Sequence, residues 1–505
     1  MSSDRLNPLD VSFLYFDTRT TPMHAGGILV FDPDTAPRAT EAGTRAATSE
    51  ASGDSRDAAT GGSEAGKAGE AGSAPPEPPD FDTVMDLLER RLTTVPRFRQ
   101  KIKWVPGNVA SPVWVDDAHF DLSYHVRRSA LPRPGDMGQL RELAGRLMAR
   151  PLDRTRPLWE LYYVEGLEGG RVAVIGKTHH AMVDGLAAVD IMALLLDVSP
   201  QPREVESEHW QPSSEPGTVR MLTDAAADWI RRPAGITDAL EVRALDVKAV
   251  ASKLAGAATG LMSALGTVAA PPPSSPLNER TGSQRRVSTA DTRLDDFRAV
   301  KKTLGGTVND VVLAVCTNAL RGWLLTRGEA VTPKTTLRAM VPVSVRDAGH
   351  QGAGGNFVAS YFVDLPVGEP DPVAQLHRVS FAMRAHKEAG QQVGAQTLTT
   401  LAGFAPPTLH ALGARVAISS TNRLFNLVIT NVPGPQFPLY MAGARMVAMY
   451  PMVPLTAATS LAVGVTSYDG GVFFGLNADR DALPDVNVIA GLISESLDSL
   501  VEQIR

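Results

Sequence analysis

Two adjacent histidines, His179 and His180, carry the clearest chemical signal in this sequence because they open the string His-His-Ala-Met-Val-Asp-Gly. Asp184 follows the second histidine by four positions, and Gly185 comes directly after it. A histidine held in one orientation is the usual protein group for taking a proton at neutral pH. The string therefore predicts a proton-transfer site made of His179, His180 and Asp184.

Other interpretations of the histidine pair stay open on residue types alone. A histidine in an apolar strand can be an ordinary core residue, and a His and an Asp four positions apart can share a metal. A His–Asp pair can also activate a nucleophile, but the sequence has no Gly-x-Ser-x-Gly elbow. The single cysteine, Cys316, lies in an apolar helix pattern typical of a buried, inert thiol.

The interpretation that the residues favour is direct general-base catalysis by a histidine of this pair on a substrate hydroxyl or amine. It suits acyl transfer without a covalent enzyme intermediate, because the base need only reach the acceptor proton as the acceptor attacks a thioester carbonyl. Asp184 is expected to fix the loop, as a helix cap or as the partner of an arginine such as Arg97, Arg99 or Arg156. Gly185 permits close backbone packing there.

A strand hairpin must position these histidines. Residues 159–164 read as one strand, 167–170 as a turn, and 172–178 as the returning strand. Because side chains alternate along a strand, His179 and His180 are expected to point to opposite sides. A helix is predicted after them at 186–197.

The rest of the first 198 residues is patterned on both sides of one unusual segment. Residues 35–80 contain no Val, Ile, Leu, Met, Phe, Tyr or Trp, so they cannot bury enough apolar surface to order themselves. We predict a disordered surface insertion there. A strand at 26–31 precedes it, and helices at 81–92 and 137–149 follow it.

Residues 199–287 have a different texture, with Pro-rich pieces around helices at 220–231 and 246–265. We predict that they cross over between an N-terminal lobe at 1–198 and a C-terminal lobe at 288–505. In the second lobe, helices are predicted at 294–304, 308–325, 372–389, 396–421 and 486–503. Strands are predicted at 336–343, 427–430, 461–467 and 471–477.

Composition excludes some broad classes of function. The chain has 505 residues, 43% of them hydrophobic, and a net charge of -6, which lacks the basic footprint of a nucleic-acid-binding protein. The single cysteine leaves no intrachain disulfide and fits a reducing cytosol. We expect no signal peptide, and no run approaches the ~18 apolar residues of a membrane span. Any membrane contact is expected to be peripheral.

The histidine string resembles the HHxxxDG signature of the acyl-CoA-dependent acyltransferase superfamily, which includes chloramphenicol acetyltransferase, plant acyltransferases and peptide-synthetase condensation domains. Further blocks, in the same order, resemble those of bacterial wax ester synthase/diacylglycerol acyltransferases. The resemblance runs nearly end to end, apart from the predicted insertion. The blocks are residues 9–13, 21–24 with His24, 157–160 with Pro157 and Trp159, 276–278, Asn309 with Asp310, 338–344, and 431–435 with Asn431 and Pro433.

This resemblance implies a mixed α/β fold of two chloramphenicol-acetyltransferase-like lobes with a tunnel between them. It implies transfer of a long-chain acyl group from acyl-CoA, as co-substrate, to diacylglycerol or a long-chain alcohol, with His180 as general base. No cofactor and no metal is expected. The reaction would take place in the cytoplasm, at the inner membrane surface or a lipid droplet. Two rivals remain: a condensation-like transferase using carrier-bound acyl groups, and a catalytically weak lipid-binding homologue.

The resemblance also implies roles for the flanking blocks, each beside a structural alternative. Gly185, Asn309, Asp310, Pro157 and Trp159 would support the site, although Trp159 could simply be a core residue and Asn309 or Asp310 a helix cap. Three further residues would line the substrate channel, with 431–435 expected to form a loop or turn. They are His24, Asn431 and Pro433.

Overall fold

The structure is a computed structural model, and it describes residues 4–33, 78–182, 194–205, 210–231, 272–344, 358–388, 393–394 and 424–505. Helices and strands alternate along these stretches. The helices are α1 Pro8–Phe16, α2 Phe81–Arg91, α3 Leu122–His125, α4 Met137–Met148, α5 Thr218–Arg231, α6 Leu294–Leu304, α7 Val308–Thr326, α8 Pro372–Glu388 and α9 Val486–Glu502. The strands are β1 His24–Asp32, β2 Gln100–Lys103, β3 Val113–Asp116, β4 Val126–Ala130, β5 Trp159–Glu165, β6 Val172–His179, β7 Arg285–Arg293, β8 Leu337–Ser344, β9 Val358–Leu365, β10 Val393–Gly394, β11 Leu427–Pro433, β12 Tyr440–Met441, β13 Ala444–Met452, β14 Leu461–Tyr468 and β15 Gly471–Asp479.

Six strands form the first sheet, in the order β12, β13, β1, β6, β5 and β4. β4 and β5 are parallel, and the other neighbours are antiparallel. β6 is buried along its whole length, as its Val- and Ile-rich sequence predicts for a strand covered on both faces. Its last residue, His179, therefore lies at the end of a central strand of the sheet.

Seven strands form the second sheet, in the order β10, β9, β8, β11, β14, β15 and β7. The long helix α7 is covered by the apolar faces of α8 and α9, and one continuous core joins these helices to the sheet. Cys316 lies in that core, where burial raises the pKa of its thiol to about 12. The expectation of a buried, inert cysteine is confirmed.

One strand from late in the chain lies in the first sheet, a pairing that local sequence patterns do not predict. β13 falls within the predicted C-terminal lobe at 288–505, yet it pairs with β1, from Gly26↔Met452 to Asp32↔Arg445. β13 also packs against β14 and β15 of the second sheet. β13 therefore belongs to the first sheet and contacts the second, so the predicted lobe limits at 198 and 287 do not coincide with the division between the sheets.

Most elements predicted from periodicity lie within about two residues of their observed limits. Two predictions were wrong in part. Residues 431–435 were expected to form a loop or turn, which holds only for Gly434 and Pro435. β11 pairs in parallel with β14 as far as Pro433, because a proline at a strand end removes only one ladder donor. The end of the insertion at 35–80 is ordered, since Asp80 caps α2 by accepting from Thr83 N–H at 2.7 Å.

Several predictions fall outside the described residues. They are most of the insertion, Asp184 and Gly185 with most of the helix at 186–197, the helix at 246–265, and the helix at 396–421. Among the helices that the structure describes, none combines the length and the apolar character needed to cross a membrane.

The contact between β13 and the second sheet leaves no room for a side chain at Gly475 of β15. A Cβ on Gly475 would lie 2.0 Å from the Pro451 carbonyl oxygen, whereas a Cβ on Gly491 in α9 would meet nothing within 4 Å. We expect Gly475→Ala to lower the free energy of unfolding by about 1–3 kcal/mol. Gly491→Ala should leave it unchanged or raise it by up to about 1 kcal/mol. Urea unfolding of both variants measures the difference, and equal stabilities would contradict this packing.

Candidate active site

Backbone hydrogen bonds from both neighbouring strands hold the histidine pair. The N–H of His179 donates to the Leu158 carbonyl at 2.9 Å, just before β5. The N–H of His180 donates to the Met23 carbonyl at 2.9 Å, just before β1. β6 ends at His179, and His180–Met182 form a single 3-10 turn. Strand alternation therefore stops at His179, and this turn sets the direction of the His180 ring.

The His179 side chain is buried, with 1% of its surface exposed. Its Nδ1 accepts a hydrogen bond from the Ala181 N–H at 3.0 Å, and its Nε2 lies 3.4 Å from Asp17 Oδ2. Because Nδ1 accepts, the ring proton of neutral His179 must sit on Nε2, the nitrogen at ion-pair distance from the carboxylate. The ring thus fixes the turn that follows it.

Asp17 completes this arrangement at the end of α1. Its carboxylate accepts from Arg154 Nη2 at 2.7 Å and Nε at 3.1 Å, and from the Met23 N–H at 3.1 Å. Burial alone would raise the pKa of Asp17, but its contacts with His179 and Arg154 outweigh burial and lower the pKa to about 2. Asp17 is therefore an anion throughout the physiological pH range.

His180 has different surroundings. Its side chain is only partly buried, and its ring stacks on Phe13 of α1 with centroids 5.0 Å apart. No residue in the described stretches hydrogen-bonds the ring. Burial, and then the neighbouring His179, lower the pKa of His180 to about 4. At neutral pH the ring is therefore an uncharged base whose nitrogens are free, among the described residues, to meet a substrate proton.

The arginines considered as partners for Asp184 make other contacts. Arg97 bonds to Asp4 at 2.6 Å, while the guanidinium of Arg99 lies over Trp210 and that of Arg156 over Tyr124. Asp184 and Gly185 lie outside the described residues, so their roles, and the alternative of a shared metal, stay predictions.

Pro157 and Trp159 are structural. Both are buried, and the indole of Trp159 donates to the Phe98 carbonyl at 2.7 Å. The same indole stacks on His125 at 4.6 Å. This block fixes the strand start that carries the Leu158 carbonyl, so it supports the site through the backbone.

His24 is buried, with 2% of its surface exposed, and lies opposite His179 in the β1–β6 pair. Its Nε2 contacts the Met148 carbonyl at 3.0 Å, at the end of α4. Burial and the charge of Lys177 lower the pKa of His24 to about 3. His24 therefore connects β1 to the end of α4, whereas the resemblance implied that it lines the substrate channel.

The second sheet brings together two of the sequence blocks. Asn431 of β11 donates its amide to Asn309 Oδ1 at 3.2 Å, at the start of α7. Asp310 forms a capping box with Thr307, since each side chain accepts from the other's backbone N–H, at 2.8 and 3.1 Å. Asp310 is therefore a helix cap. Pro433 is exposed at the end of β11, and its channel role stays a prediction.

Sequence reasoning missed two residues of this arrangement, namely Asp17 and Arg154. Phe13 and Met23 were part of matched blocks but had no role assigned to them. A signal for Asp17 was present, because it is an acidic residue between the two N-terminal blocks that resemble the family. Its pairing with His179 depends on contacts 162 positions apart, which no local pattern reports.

Two family models match the chain. The model of the wax ester synthase/diacylglycerol acyltransferase catalytic domain matches residues 6–312, and that of the WS/DGAT C-terminal domain matches residues 354–501. Together they confirm the resemblance that the ordered sequence blocks indicate.

Two similar relatives come from Mycobacterium tuberculosis, and each is named a probable diacylglycerol O-acyltransferase. The protein tgs2 is 32% identical over 505 residues, covering 99% of this chain and 99% of its own. The protein tgs1 is 34% identical over 423 residues, covering 84% of this chain and 88% of its own.

Solved structures agree with these matches. The wax ester synthase/diacylglycerol acyltransferase from Marinobacter aquaeolei VT8 has a TM-score of 0.64 at 25% identity, covering 99% of each chain. The starter condensation domain of rhizomide synthetase has a TM-score of 0.52 at 12% identity, covering 99% of this chain and 94% of its own, which shows the fold alone. The predicted mixed α/β fold of chloramphenicol-acetyltransferase-like type is confirmed, while the tunnel stays a prediction.

The low pKa of Asp17 predicts a pH-dependent contribution to stability. Its pKa falls from the ordinary 3.8 to about 2 on folding, so the contribution is present above pH ~4 and is lost as pH falls toward 2. We expect Asp17→Asn to lower the free energy of unfolding at pH 7 by about 2 kcal/mol, and the difference from wild type to shrink below pH ~4.

Urea unfolding at pH values from 7 down to 3 measures this difference. Asp295→Asn is the matched control, because the Asp295–Arg298 pair is exposed and should contribute less than about 1 kcal/mol. A loss for Asp17→Asn no larger than that of the control at pH 7 would contradict the assignment.

Proposed function

The chain belongs to the wax ester synthase/diacylglycerol acyltransferase family, and we propose that it transfers a long-chain acyl group to the hydroxyl of diacylglycerol, of a long-chain alcohol, or of both. The observation that carries the proposal is the uncharged, partly exposed ring of His180 on a turn fixed from two strands. The 99% coverage of a relative named as a diacylglycerol O-acyltransferase supports the acceptor class.

His180 acts as the general base in this proposal. One ring nitrogen takes the proton of the acceptor hydroxyl as the oxygen attacks the thioester carbonyl of acyl-CoA. The tetrahedral intermediate then expels the CoA sulfur, which receives the proton back from the imidazolium and leaves as a thiol. An ester forms, a thioester is cleaved, and His180 returns to its neutral state.

The neighbouring residues hold the base in place. His179 fixes the turn through Ala181, and Phe13 supports one face of the His180 ring. Asp184 and Gly185 are proposed to hold the continuation of the turn. We propose that the reaction uses acyl-CoA as co-substrate and needs no cofactor and no metal. The chain would associate peripherally with the inner membrane surface or a lipid droplet in the cytoplasm.

An acceptor panel with palmitoyl-CoA tests the activity. The purified chain is incubated with diolein or hexadecanol and without any carrier protein, and products are identified by mass. Triacylglycerol or wax ester is the expected product. Turnover only with a carrier-bound acyl group would favour the condensation-like rival, and acyl-CoA binding without any ester would favour a lipid-binding role.

Removal of the base tests the role of His180. We expect His180→Ala to lower kcat by about 10²–10⁴-fold, which is the usual contribution of a positioned general base. His119→Ala is the matched control, because His119 is exposed and outside the site, and its activity should equal that of wild type. Wild-type turnover by a folded His180→Ala variant would exclude His180 as the base.

The low pKa of His180 predicts the acid limb of the pH profile. Because burial lowers this pKa to about 4, the neutral base persists well below pH 6.5 and is lost only as pH falls through about 4. We therefore expect kcat/KM to stay level from about pH 8 down to about pH 5.5 and to fall below that. Circular dichroism at each pH separates this fall from unfolding. An acid limb centred near pH 6.5 in folded protein would contradict the assignment.

A further inference from the structure

The Asp17 carboxylate is the one anionic group, among the described residues, within 4.0 Å of the histidine pair. It lies at the end of α1 with 6% of its side chain exposed. Arg154 and the Met23 N–H hold it there through three hydrogen bonds of 2.7–3.1 Å. Because Met23 also accepts the N–H of His180, the carboxylate and the histidine turn are anchored to the same residue.

His179 links this carboxylate to the turn. Its Nε2 lies 3.4 Å from Asp17 Oδ2, at ion-pair distance, while its Nδ1 accepts from the Ala181 N–H at 3.0 Å. The latter bond spans His180, because Ala181 is the next residue along the chain. If Nδ1 carried the proton instead, two donors would face each other and the turn would lose this bond.

The other charged or titratable groups near His179 already have partners. Lys177 bonds to Glu160 at 3.0 Å and to the Arg150 carbonyl at 2.9 Å. His24 contacts the Met148 carbonyl at 3.0 Å. Asp17 is therefore the group placed to select the His179 tautomer.

We propose that Asp17 is a positioning residue that acts through His179. Its carboxylate holds the proton of His179 on Nε2, which leaves Nδ1 free to accept from Ala181 and so fixes the turn that presents His180. The effect of Asp17 on catalysis rests on the proposed acyl transfer, whereas its effect on the His179 tautomer does not.

A double-mutant cycle tests the catalytic consequence. Asp17→Asn removes the charge at constant size. His179→Asn offers an amide oxygen to the Ala181 N–H but does not reach Asp17. We expect each variant to lower kcat by about 10–100-fold with KM within about twofold, as for a misplaced catalytic group. The double variant should be no slower than the slower single variant, because both changes break one linkage.

Two further variants complete the cycle. Asp17→Glu keeps the charge and should recover part of the lost kcat. Asp295→Asn, on the exposed pair in α6, should leave kcat and KM unchanged. Losses that add up in the double variant, or full activity in a folded Asp17→Asn variant, would overturn the proposal.

Nuclear magnetic resonance of protein labelled with ¹⁵N-histidine tests the tautomer without any activity. The His179 signals, identified by their loss in His179→Asn, should show protonated Nε2 and unprotonated Nδ1 in wild type, and should change in Asp17→Asn. Unchanged signals would overturn the proposal. If wild type makes no ester with any acceptor, the proposed function fails, and this measurement still decides the role of Asp17.

Discussion

The candidate site depends on two backbone hydrogen bonds at the end of β6. The strands on either side supply the acceptors, so the N–H groups of His179 and His180 are fixed from opposite directions. A strand end bonded on one side only would leave the following turn free to rotate. With both bonds in place, the His180 ring has a defined position while β6 itself stays fully buried.

The strands that hold the histidines also place polar side chains inside an otherwise apolar sheet, which lowers stability unless these side chains are paired. Lys177 and Glu160 are both buried and lie 3.0 Å apart on neighbouring strands. Lys177 also donates to the Leu147 and Arg150 carbonyls at the end of α4. A buried charge without such partners would be strongly destabilising. The buried pair therefore also ties α4 to the sheet near the histidines.

Burial favours the uncharged form of both the acid and the bases of the site, but only the acid has contacts that outweigh burial. For Asp17, the contacts with His179 and Arg154 outweigh burial, so the carboxylate stays charged. For His180 and His24, no comparable anion among the described residues compensates, so burial keeps both rings neutral. A neutral His180 is in the state in which a histidine can accept a proton, while the charged Asp17–Arg154 pair lies against its neighbour His179. Packing thus sets the protonation states before any substrate arrives.

Periodicity and turn residues in the sequence determined most of the described helices and strands, because these patterns are local. The ordered blocks also determined the family, and the string at 179–185 marked the histidines. The sequence did not show that Asp17 contacts His179, that Asn431 contacts Asn309, or that β13 joins the first sheet. Each of these depends on residues far apart in the chain, which only tertiary packing brings together. Strand alternation does not extend to His180, because β6 ends at His179 and His180 begins a 3-10 turn. Residue types alone identified the reactive groups, whereas contacts between residues distant in the chain determined the geometry of the site.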